Sequence, residues 1–183
     1  MNKRVERLSK ENVDDFFKVH SGECGWCYCT AWWHPTWDGW TDRTDKQNRQ
    51  FRKELLEKGE YDGYILYADD NPAGWCQVGQ RDRLIKLIKQ YNLEPNPKIW
   101  AITCFVIRPE FRRKGLATYL LKAILEDLKS RGVKTVEAYP RTTESNEPGE
   151  HWKGPEKMYF ELDFKLKRDE HSHPVLSLNI TGN

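Results

Sequence analysis

Apolar positions along the chain alternate between a helical and an extended period, and the changes of period predict the elements. Residues 5–8 suit a short strand; beyond Ser9, the residues Val13, Phe16, Phe17 and His20 recur at helical spacing and predict a helix over about 12–20. Phe51, Leu55 and Leu56 form the stripe of a second helix over 44–58, ending before Gly59. Residues 64–68 and 73–78 flank Asp69-Asp70-Asn71-Pro72 and read as antiparallel strands joined by a tight turn. Over 82–91, Leu84, Ile85, Leu87, Ile88 and Tyr91 lie to one side with Arg83, Lys86 and Lys89 elsewhere, which predicts an amphipathic helix with a solvated basic face.

Residues 99–107 are nearly all apolar, the pattern of a strand buried on both faces, and the run stops at Arg108-Pro109. Leu116, Leu120, Leu121, Ile124, Leu125 and Leu128 mark a long helix ending near Gly132, and 133–139 supplies the next strand. A strand-helix-strand unit of this size is expected to be right-handed with its two strands parallel. A polar loop over 141–154 precedes a short helix over 155–162, then strands over 164–167 and 175–180. The expected fold class is α+β, a mixed sheet flanked by helices, in a single domain over 1–183.

Composition narrows the partners. The 183 residues carry 30 basic and 28 acidic side chains, a net charge of +2, so no global field draws the protein to nucleic acid or to an anionic membrane. No apolar run approaches the ~20 residues that span a bilayer, and the N-terminus lacks the apolar core of a signal peptide. Five cysteines in a chain of this size fit a reducing compartment, hence a cytoplasmic protein, better than a disulfide framework.

Between the buried strand and the long helix lies Arg112-Arg113-Lys114-Gly115-Leu116-Ala117. A helix start exposes unpaired N–H groups and the positive end of its dipole; a glycine there lets a phosphate approach, and three adjacent cations favour a diphosphate. The stretch is neither a Walker loop nor the G-x-G-x-x-G of dinucleotide folds. As a bare pattern it is also compatible with a solvated basic helix start; its position after a buried strand adds weight.

Residues 104–118, C-F-V-I-R-P-E-F-R-R-K-G-L-A-T, resemble the cofactor motif of the GNAT superfamily of acyl-CoA-dependent N-acetyltransferases, and 158–164, M-Y-F-E-L-D-F, resemble its second motif. The resemblance implies the GNAT fold: a central mixed, mostly antiparallel sheet whose parallel strands near 99–107 and 133–139 splay apart. It implies that the backbone of Phe105, Val106 and Ile107 holds the pantetheine arm of acetyl-CoA, a co-substrate used without a metal. Arg112, Arg113, Lys114, Gly115, Leu116, Ala117 and Thr118 would hold the pyrophosphate, and Tyr159 would protonate the departing thiolate. Asp163 stands where the family usually has glycine, and Trp152 near where many members have asparagine. The implied activity is transfer of an acetyl group to a primary amine of a small molecule or peptide; a catalytically silent acyl-CoA-binding module would keep the same loop. Glu23, Asp38, Asp42 and Asp82 are candidate general bases, and the oligomeric state, a homodimer included, is left open.

The stretch 23–33, E-C-G-W-C-Y-C-T-A-W-W, has neither period. Cys24, Cys27 and Cys29 with His20 or His34 offer four zinc ligands, but no second C-x2-C pair completes the usual spacing. In the layout the resemblance implies, the stretch lies on the acceptor side, where Trp26, Trp32 and Trp33 would wall the substrate pocket. The alternative is that the rings close the core, with the cysteines as small apolar fillers.

Overall fold

A computed structural model describes residues 1–22, 25–140, 156–169 and 174–181. It contains the strands β1 (Lys3–Arg7), β2 (Tyr64–Ala68), β3 (Asn71–Gln80), β4 (Ile99–Ile107), β5 (Thr135–Ala138), β6 (Lys165–Arg168) and β7 (Val175–Asn179). The helices are α1 (Val13–Val19), α2 (Asp45–Glu57), α3 (Ile85–Gln90), α4 (Leu116–Ser130) and α5 (Glu156–Phe160). The strands form one seven-stranded sheet in the order β1-β2-β3-β4-β5-β7-β6. Only β4 and β5 pair in parallel; every other neighbouring pair is antiparallel.

The sheet separates two cores. On one face α4 lays Leu116, Leu120, Leu121, Ile124 and Leu128 against Leu66, Val78, Ile102 and Val136, joined by Tyr159 of α5. Burying each such aliphatic side chain contributes roughly 1.5–3 kcal/mol. On the other face, Phe16 and Val19 of α1, Tyr28, Cys29 and Leu56 pack on Ile65, Tyr67, Trp75 and Cys104. Trp32, Leu84, Leu87 and Tyr91 cover Ala101, Tyr139 and Val175 beside them.

The parallel pair ends early. Ile99 to Ile102 pair with Thr135 to Ala138, and there β5 stops, because Tyr139 is followed by Pro140, which has no N–H to continue a ladder. β4 runs on to Ile107 with β3 alone as its neighbour. The register of β3 against β4 passes from Val78↔Ile102 to Gln77↔Cys104, leaving Thr103 as the extra residue of a bulge where the two parallel strands part.

One element departs from its sequence pattern. The expected helix over 82–91 is a 3-10 turn at Arg81–Arg83 followed by six-residue α3. Ile85 is exposed, whereas Lys86, expected in solvent, is buried. Its ammonium lies 3.4 Å from the Trp37 ring centre and 5.2 Å from that of Trp40, and it donates to Thr36 O at 3.3 Å. The indole faces replace the water that this cation would otherwise seek. Burial still pulls its titration down to about 8.

Candidate active site

β4 leads through Arg108 and a 3-10 turn, Pro109–Phe111, into α4. The turn into the helix is made by two left-handed residues, Arg113 (φ +61°) and Gly115 (φ +70°), the latter the N-cap. The first backbone bond of the helix start is Tyr119 N–H to Gly115 O, 3.1 Å. Among the described residues, none of the six successive N–H groups of 113–118 donates to a carbonyl or a side chain. Space opens in front of Gly115, where an added Cβ would meet nothing within 4 Å. The cations around this nest are tied back at their own bases: Arg112 Nε donates to Ile107 O (2.9 Å) and Lys114 Nζ to Glu110 O (2.9 Å). Six unused amides, a helix dipole and exposed cations together suit a diphosphate.

The nest continues into the splay. On β4, Phe105, Val106 and Ile107 are bonded to β3 on one edge and, among the described residues, lack a strand on the β5 edge. Tyr159 is wholly buried against Phe164, the ring centres 5.3 Å apart. Burial, with Cys76 and Cys104 nearby, holds its phenol well above the usual tyrosine range, so it keeps its proton.

On the far side of β4 the cysteine segment folds down as a turn in which Tyr28 (φ +44°) and Cys29 (φ +51°) are both left-handed, a conformation that costs on the order of 1–2 kcal/mol per residue. It drives Cys29 into the core, where its Sγ lies 3.3 Å from His20 Nε2. His20 Nδ1 faces Phe16 O at 2.9 Å, an acceptor only, so Nδ1 carries the ring proton. Burial pulls the His20 imidazole down to about 3, and it is neutral. The thiols of Cys27, Cys29 and Cys104 influence one another and all titrate above the usual range: Cys27 through Cys29 and through burial, Cys29 chiefly through burial. In Cys104, Cys29 pulls down but burial prevails. Among the described residues no group of three or more Cys, His, Asp or Glu is placed to hold a metal ion; Cys24 lies outside them.

The tryptophans are linked by ring contacts, Trp26 to Trp40, Trp40 to Trp37 and Trp37 to Trp32, and Trp33 packs on the same cluster as Trp32. Trp32 is a core residue in contact with Trp37 and Tyr91. Trp33 reaches the sheet: with its amide oriented to satisfy both neighbours, Gln77 of β3 accepts from Trp33 Nε1 (2.8 Å) and donates to Cys29 O (2.7 Å). Trp26 is 42% exposed and packs edge-on against Trp40. Of the candidate bases, Asp38 and Asp42 are exposed, Asp82 is half-buried and Glu23 lies outside the described residues, as does Trp152.

Three polar residues here were not flagged by the sequence pattern. Glu137, buried at the root of the splay, accepts from Arg81 (2.7 Å), Tyr139 (2.5 Å) and Lys167 (2.8 Å). Burial pushes its carboxyl up, but these three donors outweigh it and leave it below the usual range. A single acid in an apolar strand was the available signal. Asp62, beside Gly79 and 2.6 Å from Arg83, is pushed by burial up to about 6, against the pull of Arg52 and Arg131. Arg52 of α2 is 0% exposed.

The family model described as "Acetyltransferase (GNAT) family" matches residues 26–152. No curated protein matches the chain significantly. Among solved structures, PaiA N-acetyltransferase from Thermoplasma acidophilum in complex with coenzyme A superposes with a TM-score of 0.58 at 14% identity, covering 98% of this chain and 99% of that one. The ribosomal-protein-S18-alanine N-acetyltransferase of Escherichia coli gives 0.56 at 15%, covering 100% and 96%. Arylalkylamine N-acetyltransferase 2 from Aedes aegypti gives 0.59 at 15%, covering 98% and 100%. At such identities the structures speak for the fold alone, which is the mixed seven-stranded sheet described above. With the family model spanning well over half of the chain, the protein belongs to the GNAT acetyltransferase family.

Proposed function

We propose that the protein transfers an acetyl group from acetyl-CoA to a primary amine of a small molecule or peptide, by direct attack of the amine on the thioester. The observation that carries this reading is the continuity of six unused backbone amides at 113–118 with the one-sided β4 edge at 105–107. The amides would hold the pyrophosphate, with Arg112, Arg113 and Lys114 adding charge, and the strand edge would pair with the amides of the pantetheine arm. Acetyl-CoA supplies the activated acyl carbon. What the protein adds is position, since a held amine and a held thioester need little further help.

Tyr159 is assigned to donate a proton to the departing thiolate. Its burial keeps the phenol protonated at neutral pH, as a donor in that role must be. The reading is tested by measuring CoA release from acetyl-CoA over a panel of primary amines, alongside calorimetric binding of acetyl-CoA. Release with at least one amine is the expected result. Binding without release from any amine would make the protein a silent acyl-CoA-binding module, and absence of binding would remove the reading altogether.

A further inference from the structure

Arg52 is the least explained residue in the molecule. Its side chain rises from α2 into the core behind the cysteine segment, its guanidinium centre 4.8 Å from the Phe16 ring centre and 5.5 Å from that of Trp75. It is fully buried, yet among the described residues Nε and both terminal nitrogens have no hydrogen-bond acceptor. Arginine stays protonated in proteins, and a buried charge without a partner is strongly unfavourable.

The protein's own groups do not supply the missing acceptor. The ionisable neighbours among the described residues include Cys27, Cys29, Cys104, Asp62 and His20. The three thiols titrate above their usual range and His20 is held neutral by burial; the Asp62 carboxylate offsets the charge of Arg52 at a distance but accepts its hydrogen bond from Arg83 (2.6 Å), which Glu60 also pairs. Two further buried donors on these strands are also unused: Trp75 Nε1, on the ring that the guanidinium faces, and Thr103 Oγ1, at the bulge where β4 leaves β5. On Arg52 and Trp75 what is unmet is a donor, and the Thr103 hydroxyl beside them is unmet as well.

We infer that Arg52 anchors a carboxylate on the acceptor, so that the substrate is an amine that also bears a carboxyl group. The inference rests on the acetyl-transfer reading and narrows its substrate class. A planar guanidinium fork matches a carboxylate with two parallel hydrogen bonds, and the ring faces of Phe16 and Trp75 hold the fork in position. Cys104, whose charge state Arg52 senses, lies on β4 one residue past the bulge at Thr103. Tyr28 and Cys29, both left-handed, pack in the same cluster as Phe16 and Trp75, and on this reading their turn yields for the carboxylate to enter.

The full chain is assayed for CoA release on matched pairs, each an amino acid and the amine left after removing its carboxyl group. The carboxylated member is expected to be favoured by about 10²-fold in kcat/KM, a ratio that Arg52→Met brings close to unity. A second measurement is independent of turnover: glutamate, succinate and benzoate should raise the melting temperature of the wild type and leave that of Arg52→Met unmoved. Unliganded Arg52→Met should itself melt higher than the wild type, because an unpaired buried charge has gone; Arg52→Lys, which keeps a cation, should retain part of the ligand shift. Equal use of both members of each pair by an active wild type would overturn the inference, as would a wild-type melting temperature indifferent to carboxylates. So would an Arg52→Met protein that melts lower and in which alkylation of Cys27 slows, since the counter-ion would then be a thiolate. Carboxylate-induced stabilisation in a protein that acetylates no amine would uphold the anchor and count against acetyl transfer.

Discussion

Gly115 is left-handed at φ +70° with open space before it, so a substitution there acts on what enters that space as well as on the backbone. Gly115→Glu places a carboxylate where the diphosphate is expected, and the calorimetric signal of acetyl-CoA binding should vanish; an unchanged affinity would remove the nest as the cofactor site. Tyr159→Phe keeps the buried ring and deletes the proton donor. Turnover should fall by about 10²-fold with acetyl-CoA affinity nearly unaltered, and an unchanged rate would strike Tyr159 from the mechanism. Glycine and tyrosine are both proposed from sequence, because each sits in a local motif. Arg52 was not: in the run of α2 it reads as one more charge on a solvated helix, and only the fold shows that no water reaches it.

At the scale of elements, α2 ties β4 to the cysteine and tryptophan segment. Its start is a capping box: Gln47 N–H donates to Thr44 Oγ1 (3.3 Å) and Thr44 N–H to Gln47 Oε1 (2.8 Å). One turn on, the buried Asn48 accepts from Arg43 (2.6 Å) and donates to Trp26 O (3.1 Å). Thr44→Ala should cost about 1 kcal/mol, read as a drop of a few degrees in melting temperature. A fall no larger than that of an exposed control substitution would show that tertiary packing alone holds the helix. The splay of β4 from β5 was foreseen only through resemblance. Its physical cause is plain in hindsight, since Pro140 cannot extend the ladder.

Across the whole molecule, the sheet keeps an aliphatic core under α4 apart from a polar-studded one under α1 and α2. The second core makes stability depend on pH. His20 titrates at about 3 when folded and near 6.5 when unfolded, so between those values the unfolded chain binds the extra proton. Stability attributable to His20 is therefore complete above about pH 6.5 and declines as pH falls toward 3, by roughly 2 kcal/mol between pH 7 and pH 5. Denaturant unfolding at those two pH values should show this difference in the wild type and a smaller one in His20→Gln; equal differences would mean that His20 is not the titrating group.

The sequence by itself determined the order and type of the elements, the buried character of β4 and the glycine-led start of α4, because each depends on periodicity or on residues adjacent in the chain. The tertiary structure decided what depends on distant parts meeting. It turned Lys86 inward onto Trp37 and joined Cys29 to Cys104 across the segment and the sheet. It also closed Phe16, Trp75 and the cysteines around Arg52. Burial of a charge is a property of the neighbours that exclude water from it, and those neighbours come here from four separate stretches of the chain.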